Sequence, residues 1–352
     1  MNIRRNDLIS MPNLLLSKIE TRMRRSRLFS KPLTITLEPT LSCNSDCVMC
    51  NRNFSRKETK QATGFLSWDT FNRVRPYFKY ARNVLFSGFG EALLHPEYTA
   101  MLKEIKKSGP FVFFYTNGIA MKEALGKQLV DIGMDRVCIS MGGATKETYK
   151  KIRGIDAFES VVENIKHIRD YKNKTGRIKP ALIFNIVAMN SVLSELSMIV
   201  EMARELEVSN IDMPNMVAQG AEMKTESVWL NLDAAKNEFA EAALLAQKYG
   251  IGFNPPNLDP GFKGDCRSLF KIMVVNWDGT VMSCALERYV VGDLKESSID
   301  AIWNSKGMVE LRRDYYKKGL NNICPRCTCW DNNPLNFIDP ALNSREFAVK
   351  RL

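Results

Sequence analysis

From residue 33 onward, short apolar runs rich in β-branched and aromatic residues alternate with segments whose apolar positions recur at helical spacing. LTITLEPT (33–40), NVLFSG (83–88), FVFFYTN (111–117), RVCISM (136–141), ALIFNIV (181–187) and VSNIDM (208–213) predict strands. Segments 67–80, 97–108, 121–132, 157–172 and 194–206 predict the helices between them. In the last, Leu196, Ile199, Val200, Ala203 and Leu206 mark one apolar stripe. Strand and helix in strict alternation is the pattern of βα units on a parallel sheet. Six such units predict an α/β chain folded as a partial (β/α)6 TIM-like barrel. Chemistry in such a barrel sits at the C-terminal ends of the strands. A further helix is expected over 234–249, with Asp233 as its N-cap and Gly250 as its stop.

After that helix the pattern changes. GIGFNPPNLDPGFKGD (250–265) is rich in Gly and Pro and reads as a linker. KIMVVNWDGTVMSCA then places two β-rich runs around Asp278-Gly279, a hairpin signal, and a helix is expected near 297–317. The organisation so predicted is a basic helical extension over 1–31, the partial barrel over 32–255 and a small C-terminal α+β domain over 256–352.

The charge is uneven. Residues 1–31 carry eight Lys/Arg against Asp7 and Glu20, more than half of the formal +11 of the whole chain. LLLSKIETRMRRSRLF suits a basic amphipathic helix, either lying weakly on an anionic membrane surface or, the favoured reading, laying its Leu/Ile face on the main domain. The rest of the chain has no stripe mixing aromatic and basic residues, which speaks against nucleic acid. No run approaches the ~20 apolar residues that span a bilayer, and no signal-peptide core opens the chain. A cytoplasmic location is expected.

The nine cysteines fall as a triplet (Cys43, Cys47, Cys50), a pair (Cys266, Cys284), a second triplet (Cys324, Cys327, Cys329) and Cys138 alone. Clustering in a long chain points to metal rather than disulfides. The first triplet follows the first predicted strand, where barrel chemistry belongs. Three thiolates there can hold one face of a 4Fe–4S cube and leave one iron open. A structural zinc site is the plainer alternative, but no His or further Cys lies within forty residues to complete it.

CNSDCVMC resembles the CxxxCxxC hallmark of radical S-adenosylmethionine (SAM) enzymes. The resemblance implies a 4Fe–4S cluster on Cys43, Cys47 and Cys50 whose open iron chelates SAM, and a 5′-deoxyadenosyl radical that removes a substrate hydrogen atom. SGFGEALLHP (87–96) resembles the family's glycine-rich motif, implying SAM contacts at Gly88, Gly90 and Glu91, with Phe89 a departure from two adjacent glycines. YTNG (115–118), with Asn117, resembles the third-strand end. ISMGGATKETYKKIRG (139–154) resembles the fourth-strand segment, implying Ser140 and Arg153 at SAM's ribose or carboxylate; Asn185 is expected to face SAM as well. Met49 stands where the family often has an aromatic residue against adenine, a place a flexible thioether can fill.

The segment GDCRSLF…VNWDGTVMSC…VVGDLKESSIDAIWNS…CPRC resembles the SPASM/twitch extension, which holds auxiliary clusters. The full SPASM version uses a larger cysteine set for two clusters. The set here matches the shorter twitch version, closest in spacing to the 2-deoxy-scyllo-inosamine dehydrogenase type. The resemblance implies an auxiliary 4Fe–4S cluster on Cys266, Cys284, Cys324 and Cys327; four-coordinate zinc is the alternative. Cys329 is then spare, as a substitute ligand, a hydrogen-atom donor or a buried thiol. Cys138 shares a strand face with Ser140 and is expected to be a small core residue, with hydrogen-atom donation the alternative. His95 and His167 are expected to be structural.

The function implied is oxidation or epimerisation of a carbohydrate- or cyclitol-like molecule, with the auxiliary cluster as electron conduit and a flavodoxin- or ferredoxin-type protein as electron donor. Radical modification of a ribosomally made peptide is the alternative within the family. Outside it stand a non-catalytic iron–sulfur electron carrier and a zinc-stabilised binding module.

Overall fold

A computed structural model describes residues 6–50, 52, 64–216, 221–260, 262, 264–284, 289–319 and 350–351. Helix α1 (Asp7–Arg22) precedes strand β1 (Thr34–Leu37). There follow α2 (Trp68–Val74), β2 (Asn83–Leu85), α3 (Tyr98–Lys107), β3 (Phe111–Thr116), α4 (Glu123–Ile132) and β4 (Arg136–Ser140). Next come α5 (Lys146–Arg153), α6 (Phe158–Thr175), β5 (Ala181–Asn185), α7 (Leu196–Glu205), β6 (Asn210–Asp212) and α8 (Leu232–Lys248). The chain continues through β7 (Gly252–Asn254), β8 (Ile272–Val275), β9 (Thr280–Met282), β10 (Tyr289–Asp293), α9 (Ile299–Trp303), α10 (Lys306–Lys318) and β11 (Lys350–Arg351).

Strands β1 to β7 pair in chain order and all in parallel. This is the expected partial barrel, and the sheet stays open. Its two ends differ from the expectation. The Gly/Pro-rich stretch begins not as a linker but as β7, whose Gly252 pairs with Asn210 and Asn254 with Asp212. Strand β8 joins the other edge, Thr34 opposite Ile272 and Leu37 opposite Val275, so the C-terminal segment continues the barrel's own sheet. The Asp278-Gly279 hairpin forms as predicted, with Gly279 at φ 93. Short apolar runs with no helical period can be recruited by an exposed sheet edge, which a local reading does not see.

Each strand splits its side chains between two layers. Val112, Phe114, Val137, Ile139, Leu182, Phe184 and Ile211 join the helix-side core, where α3 brings Tyr98, Met101, Leu102 and Ile105 and α7 brings Leu196, Ile199, Val200 and Ala203. The alternate residues face the concave side: Thr36 and Glu38, Phe113 and Tyr115, Cys138 and Ser140, Ile183 and Asn185, Asn210 and Asp212. Two helix boundaries move. Asn231, not Asp233, caps α8, its side chain accepting from Ala234 N. The helix expected near 297–317 is two, broken at Asn304 and restarted by the Ser305 cap.

Helix α1 corrects the favoured reading of the extension. Its buried residues are Ser10, Asn13, Ser17 and Glu20, a polar stripe at spacings of three and four, and Asn6 just before it is buried too. Asn6 Nδ2 donates to Ala81 O (2.8 Å), and Asn13 Nδ2 donates to Lys31 O and Tyr80 O (both 3.1 Å). Those acceptors precede β2 and β1, so α1 lies across the N-terminal ends of the barrel strands. The Leu/Ile face points outward instead. Chain termini of strands offer carbonyls and N–H groups rather than apolar surface, and a helix packed there must hydrogen-bond.

Arg312 on α10, 0% exposed, ties the C-terminal segment to this end. Its Nε donates to Leu269 O and one terminal nitrogen to Trp303 O (both 2.8 Å) and to Ser26 O (3.3 Å), while the guanidinium stacks on the Trp303 ring at 4.3 Å. Burial lowers its pKa to about 9.

Candidate active site

The loop after β1 carries Cys43, Cys47 and Cys50. It is held from three sides. Asn117, just past β3, donates through Nδ2 to Asn44 Oδ1 (2.7 Å) and Ser45 Oγ (3.0 Å), 3.9 Å from Cys43 Sγ. The end of α5 supplies Arg153 O to Asp46 N (3.2 Å) and Ile152 O to Val48 N (3.0 Å). Glu91 N donates to Ser42 O (2.8 Å).

The glycine-rich turn after β2 exists for these approaches. A Cβ on Gly90 would lie 2.3 Å from Thr40 O, and one on Gly88 would lie 2.2 Å from Glu38 Cγ. Gly154 stops α5 at φ +68, and a Cβ there would meet Asp46 O at 2.3 Å. The Gly90 and Gly154 contacts run to the backbone of the cysteine loop, so these two glycines let the turn and α5 close on it.

Glu91 is 2% exposed, and its carboxylate accepts from Asn117 N (2.7 Å), Thr116 Oγ1 (2.7 Å) and Leu93 N (3.2 Å). It therefore braces the end of β2 against the end of β3. Burial raises its pKa, and those hydrogen bonds and Arg153 oppose the rise.

Burial raises the Cys43 thiol, and pushes Cys47 up to about 11 against the pull of Arg153; the neighbouring thiols raise both further. Among the described residues no three His, Cys, Asp or Glu side chains converge on one ion. Three thiols on one loop suit a cube in which each thiolate takes its own iron. Beside it, Arg153 Nε is buried without a hydrogen-bond partner among the described residues, and the buried Tyr149 hydroxyl faces the same guanidinium, which leaves polar capacity for a bound group. Met49 is partly buried against the core.

At the strand ends, Ser140, Asn185, Asp212 and Asn254 stand level across β4 to β7. Asp212 Oδ1 accepts from the Asn210 amide and, at 2.7 Å, from that of Asn254. Cys138, below Ser140 on the concave side, is 2% exposed. Burial pushes its thiol up to about 12; Arg136 opposes the shift and Asp212 adds to it. His95 is buried between Leu66 O, 2.9 Å from Nε2, and Glu97 N, which donates to Nδ1 at 3.1 Å, and so serves the turn. His167 faces Glu163 on α6.

Cys266 lies before β8, with Sγ 3.1 Å from Ser268 Oγ, and Cys284 follows β9. Both flank the hairpin end that runs beside the start of β1, whereas Cys43, Cys47 and Cys50 follow the end of β1. The two cysteine groups therefore sit at opposite ends of the sheet. Cys324, Cys327 and Cys329 lie outside the described residues.

Several supporting residues escaped the sequence reading. Glu38 accepts from Phe89 N at 2.9 Å beneath the glycine-rich turn; its signal was an acid in phase with Thr34 and Thr36 on an apolar strand. Arg52 donates to Ser45 O at 2.9 Å. Glu195 accepts from Ala144 N (2.6 Å), Thr145 Oγ1 (2.7 Å) and the Thr148 hydroxyl, fixing the turn between β4 and α5. Nothing in its local sequence marked it.

A partial parallel barrel with a three-thiol loop after its first strand defines the class of protein. Residues 37–206 match the model of the Radical SAM superfamily. Residues 266–328 match that of an iron–sulfur cluster-binding domain, SPASM, so the chain carries a radical SAM domain followed by a SPASM domain. It is an enzyme whose cofactors are SAM, a SAM-binding 4Fe–4S cluster and auxiliary iron–sulfur. The chain is 23% identical over 338 residues to the tungsten-containing aldehyde ferredoxin oxidoreductase cofactor-modifying protein of Pyrococcus furiosus, covering 85% of this chain and 92% of that one. It is 24% identical over 319 residues to the AdoMet-dependent heme synthase of Methanosarcina barkeri, covering 83% and 88%. Among solved structures it is similar in fold to anSMEcpe with bound AdoMet (TM-score 0.63, 17% identity, 90% of this chain and 92% of that). It is likewise similar to Streptococcus suis SuiB bound to S-adenosylmethionine (TM-score 0.66, 12% identity, 84% and 71%).

Proposed function

We propose that this radical SAM enzyme oxidises a small polyhydroxylated molecule, carbohydrate- or cyclitol-like, bound in the barrel between two clusters. Cys43, Cys47 and Cys50 would hold the SAM cluster; Cys266 and Cys284, with Cys324 and Cys327, would hold the auxiliary 4Fe–4S cluster. Together these cofactors supply removal of a hydrogen atom from an unactivated carbon and acceptance of the electron left behind.

The residues of the chain do the rest. Asn117 and Glu91 hold the cysteine loop, with Gly88 and Gly90 giving it room, and the Glu91 charge is offered to SAM's ammonium group. Ser140, Arg153 and Asn185 contact SAM, and Met49 lies against adenine. Asp212, with Oδ1 held by two amides, presents Oδ2 to take the hydroxyl proton as the alcohol becomes a ketone. One hydrogen atom, one electron and one proton leave the substrate, which is the balance of a two-electron oxidation.

The observation that carries this reading is that Asp212 and Asn254 stand level with the SAM-facing Ser140 and Asn185, placing a carboxylate and an amide beside SAM where a hydroxylated substrate would bind. The names of the two relatives that span most of the chain, a cofactor-modifying protein and a heme synthase, favour a small molecule over a peptide. The test is anaerobic reconstitution, reduction and assay with SAM. Release of 5′-deoxyadenosine matched by ketone formation from cyclitols or amino sugars is expected. No 5′-deoxyadenosine release would remove the enzyme reading, and stimulation by peptides alone would replace the substrate class.

A further inference from the structure

The outward face of α1 is apolar where a surface helix is normally polar. Leu8 is 91% exposed and Leu15 60%, with Met11 and Ile19 beside them, and just past the helix Met23 is 62% and Phe29 69% exposed. Lys18, Arg22, Arg24, Arg25 and Arg27 are exposed along the same surface, and none forms an ion pair among the described residues. The two acids of this region are turned away from it. Asp7 pairs with Arg82, and Glu20, 1% exposed, accepts from Phe29 N and the Ser30 hydroxyl (both 2.6 Å). Inverting the helix has thus separated the charges, leaving acids inside and cations outside.

The C-terminal end of α1 borders a cleft of about 790 Å³ lined by Lys18, Arg22, Arg24, Arg267 and Lys271 with Tyr315 and Tyr316. Its one acid among the described residues, Asp265, is already bound by Arg267 and the Tyr315 hydroxyl. Cationic surface therefore continues past the helix.

We infer that α1 docks this enzyme on a bilayer bearing anionic lipids. The helix would lie in the interface plane with Leu15, Ile19 and Met23 at the acyl boundary, while the five cations meet lipid phosphates. The apolar centre argues against an acidic protein, which charges alone would recruit. Two-fold pairing with a second copy would set the cations of one α1 against those of the other. Because α1 crosses the N-terminal strand ends, the cysteine loop at the opposite end faces away from the lipid, and the inference is independent of the substrate proposed above.

The test is co-sedimentation of the full-length, cluster-loaded protein with vesicles of phosphatidylcholine alone or with about one-third phosphatidylserine. Binding to the anionic vesicles at least about tenfold tighter, weakened near 0.5 M salt, is expected. Leu15→Glu/Ile19→Glu should abolish it and Arg22→Gln/Arg25→Gln should weaken it. Unchanged thermal midpoints and unchanged 5′-deoxyadenosine release would show that these variants remain folded. Equal binding to both vesicles, no binding to either, or anionic binding that survives Leu15→Glu/Ile19→Glu would overturn the inference. So would a concentration-dependent dimer that the same variant dissociates.

Discussion

Glu91, at the end of the second strand, accepts the backbone N–H of Asn117, at the end of the third, at 2.7 Å, and the Asn117 side chain reaches on into the cysteine loop. The thiols are thus positioned by a relay through two neighbouring strand ends. Asn117→Ala removes the second link and leaves Asn44 and Ser45 without their donor, at about 1–3 kcal/mol. The chain should still fold, with a lower thermal midpoint, while iron bound at the first cysteine triplet falls. Full iron occupancy with an unchanged melt would show that the relay does not position the loop.

Gly154 and Gly176 form a matched pair. Both end helices in the left-handed region, at φ +68 and +65, but a Cβ on Gly154 meets Asp46 O at 2.3 Å and one on Gly176 meets nothing within 4 Å. Alanine at either position costs about 1–2 kcal/mol for the backbone. Only Gly154→Ala should also displace the cysteine loop and reduce cluster absorbance. Equal loss in both variants would refute the distinction.

Glu195 sets a pH dependence. Burial alone would raise its pKa, but hydrogen bonds from the Thr148 and Thr145 hydroxyls and the Ala144 and Thr145 N–H groups outweigh it and hold the carboxyl below its usual range. A depressed folded value means that folding favours the charged form. The contribution is then present above the unfolded value of about 4.3 and fades as pH falls through the folded one. Glu195→Gln should cost about 1.5–3 kcal/mol near neutrality by urea unfolding. Below about pH 4 the difference should shrink; a constant gap would rule out the ionised carboxylate as its source.

The two cysteine groups should separate in metal content. With both clusters loaded the chain should hold about eight irons, and Cys43→Ala or Cys266→Ala should each remove about four. Cys43→Ala should end 5′-deoxyadenosine release. Cys266→Ala should keep it while losing oxidised product. Abolition of release by both would place the two groups in one functional unit.

Asp212→Asn should lower product formation about 10²-fold while SAM cleavage persists. Cys138→Ala, at a buried position, should change neither. A large loss of product in Cys138→Ala would instead make its thiol a hydrogen-atom donor.

The periodicities at 33–40 through 208–213 and the CxxxCxxC loop were legible because local rules carry them: strand alternation, helix stripes and ligand spacing repeat within a few residues. Strand β7 and the edge pairing of β8 were not, because an open sheet edge recruits whichever extended segment reaches it. Glu38 and Glu195 stayed hidden for a related reason. An acid becomes a brace only when distant N–H and hydroxyl groups are aimed at it.

The chain's own sequence determined the βα alternation, the three-thiol loop and the segregation of cysteines into two groups. Tertiary structure decided that the Cys43–Cys47–Cys50 loop and the Cys266/Cys284 pair flank opposite ends of one sheet and that Ser140, Asn185, Asp212 and Asn254 stand level. It also decided which way α1 faces. Helical periodicity shows that a helix has two faces, but the strand ends beneath α1 offered hydrogen-bonding groups, and so the polar face turned inward.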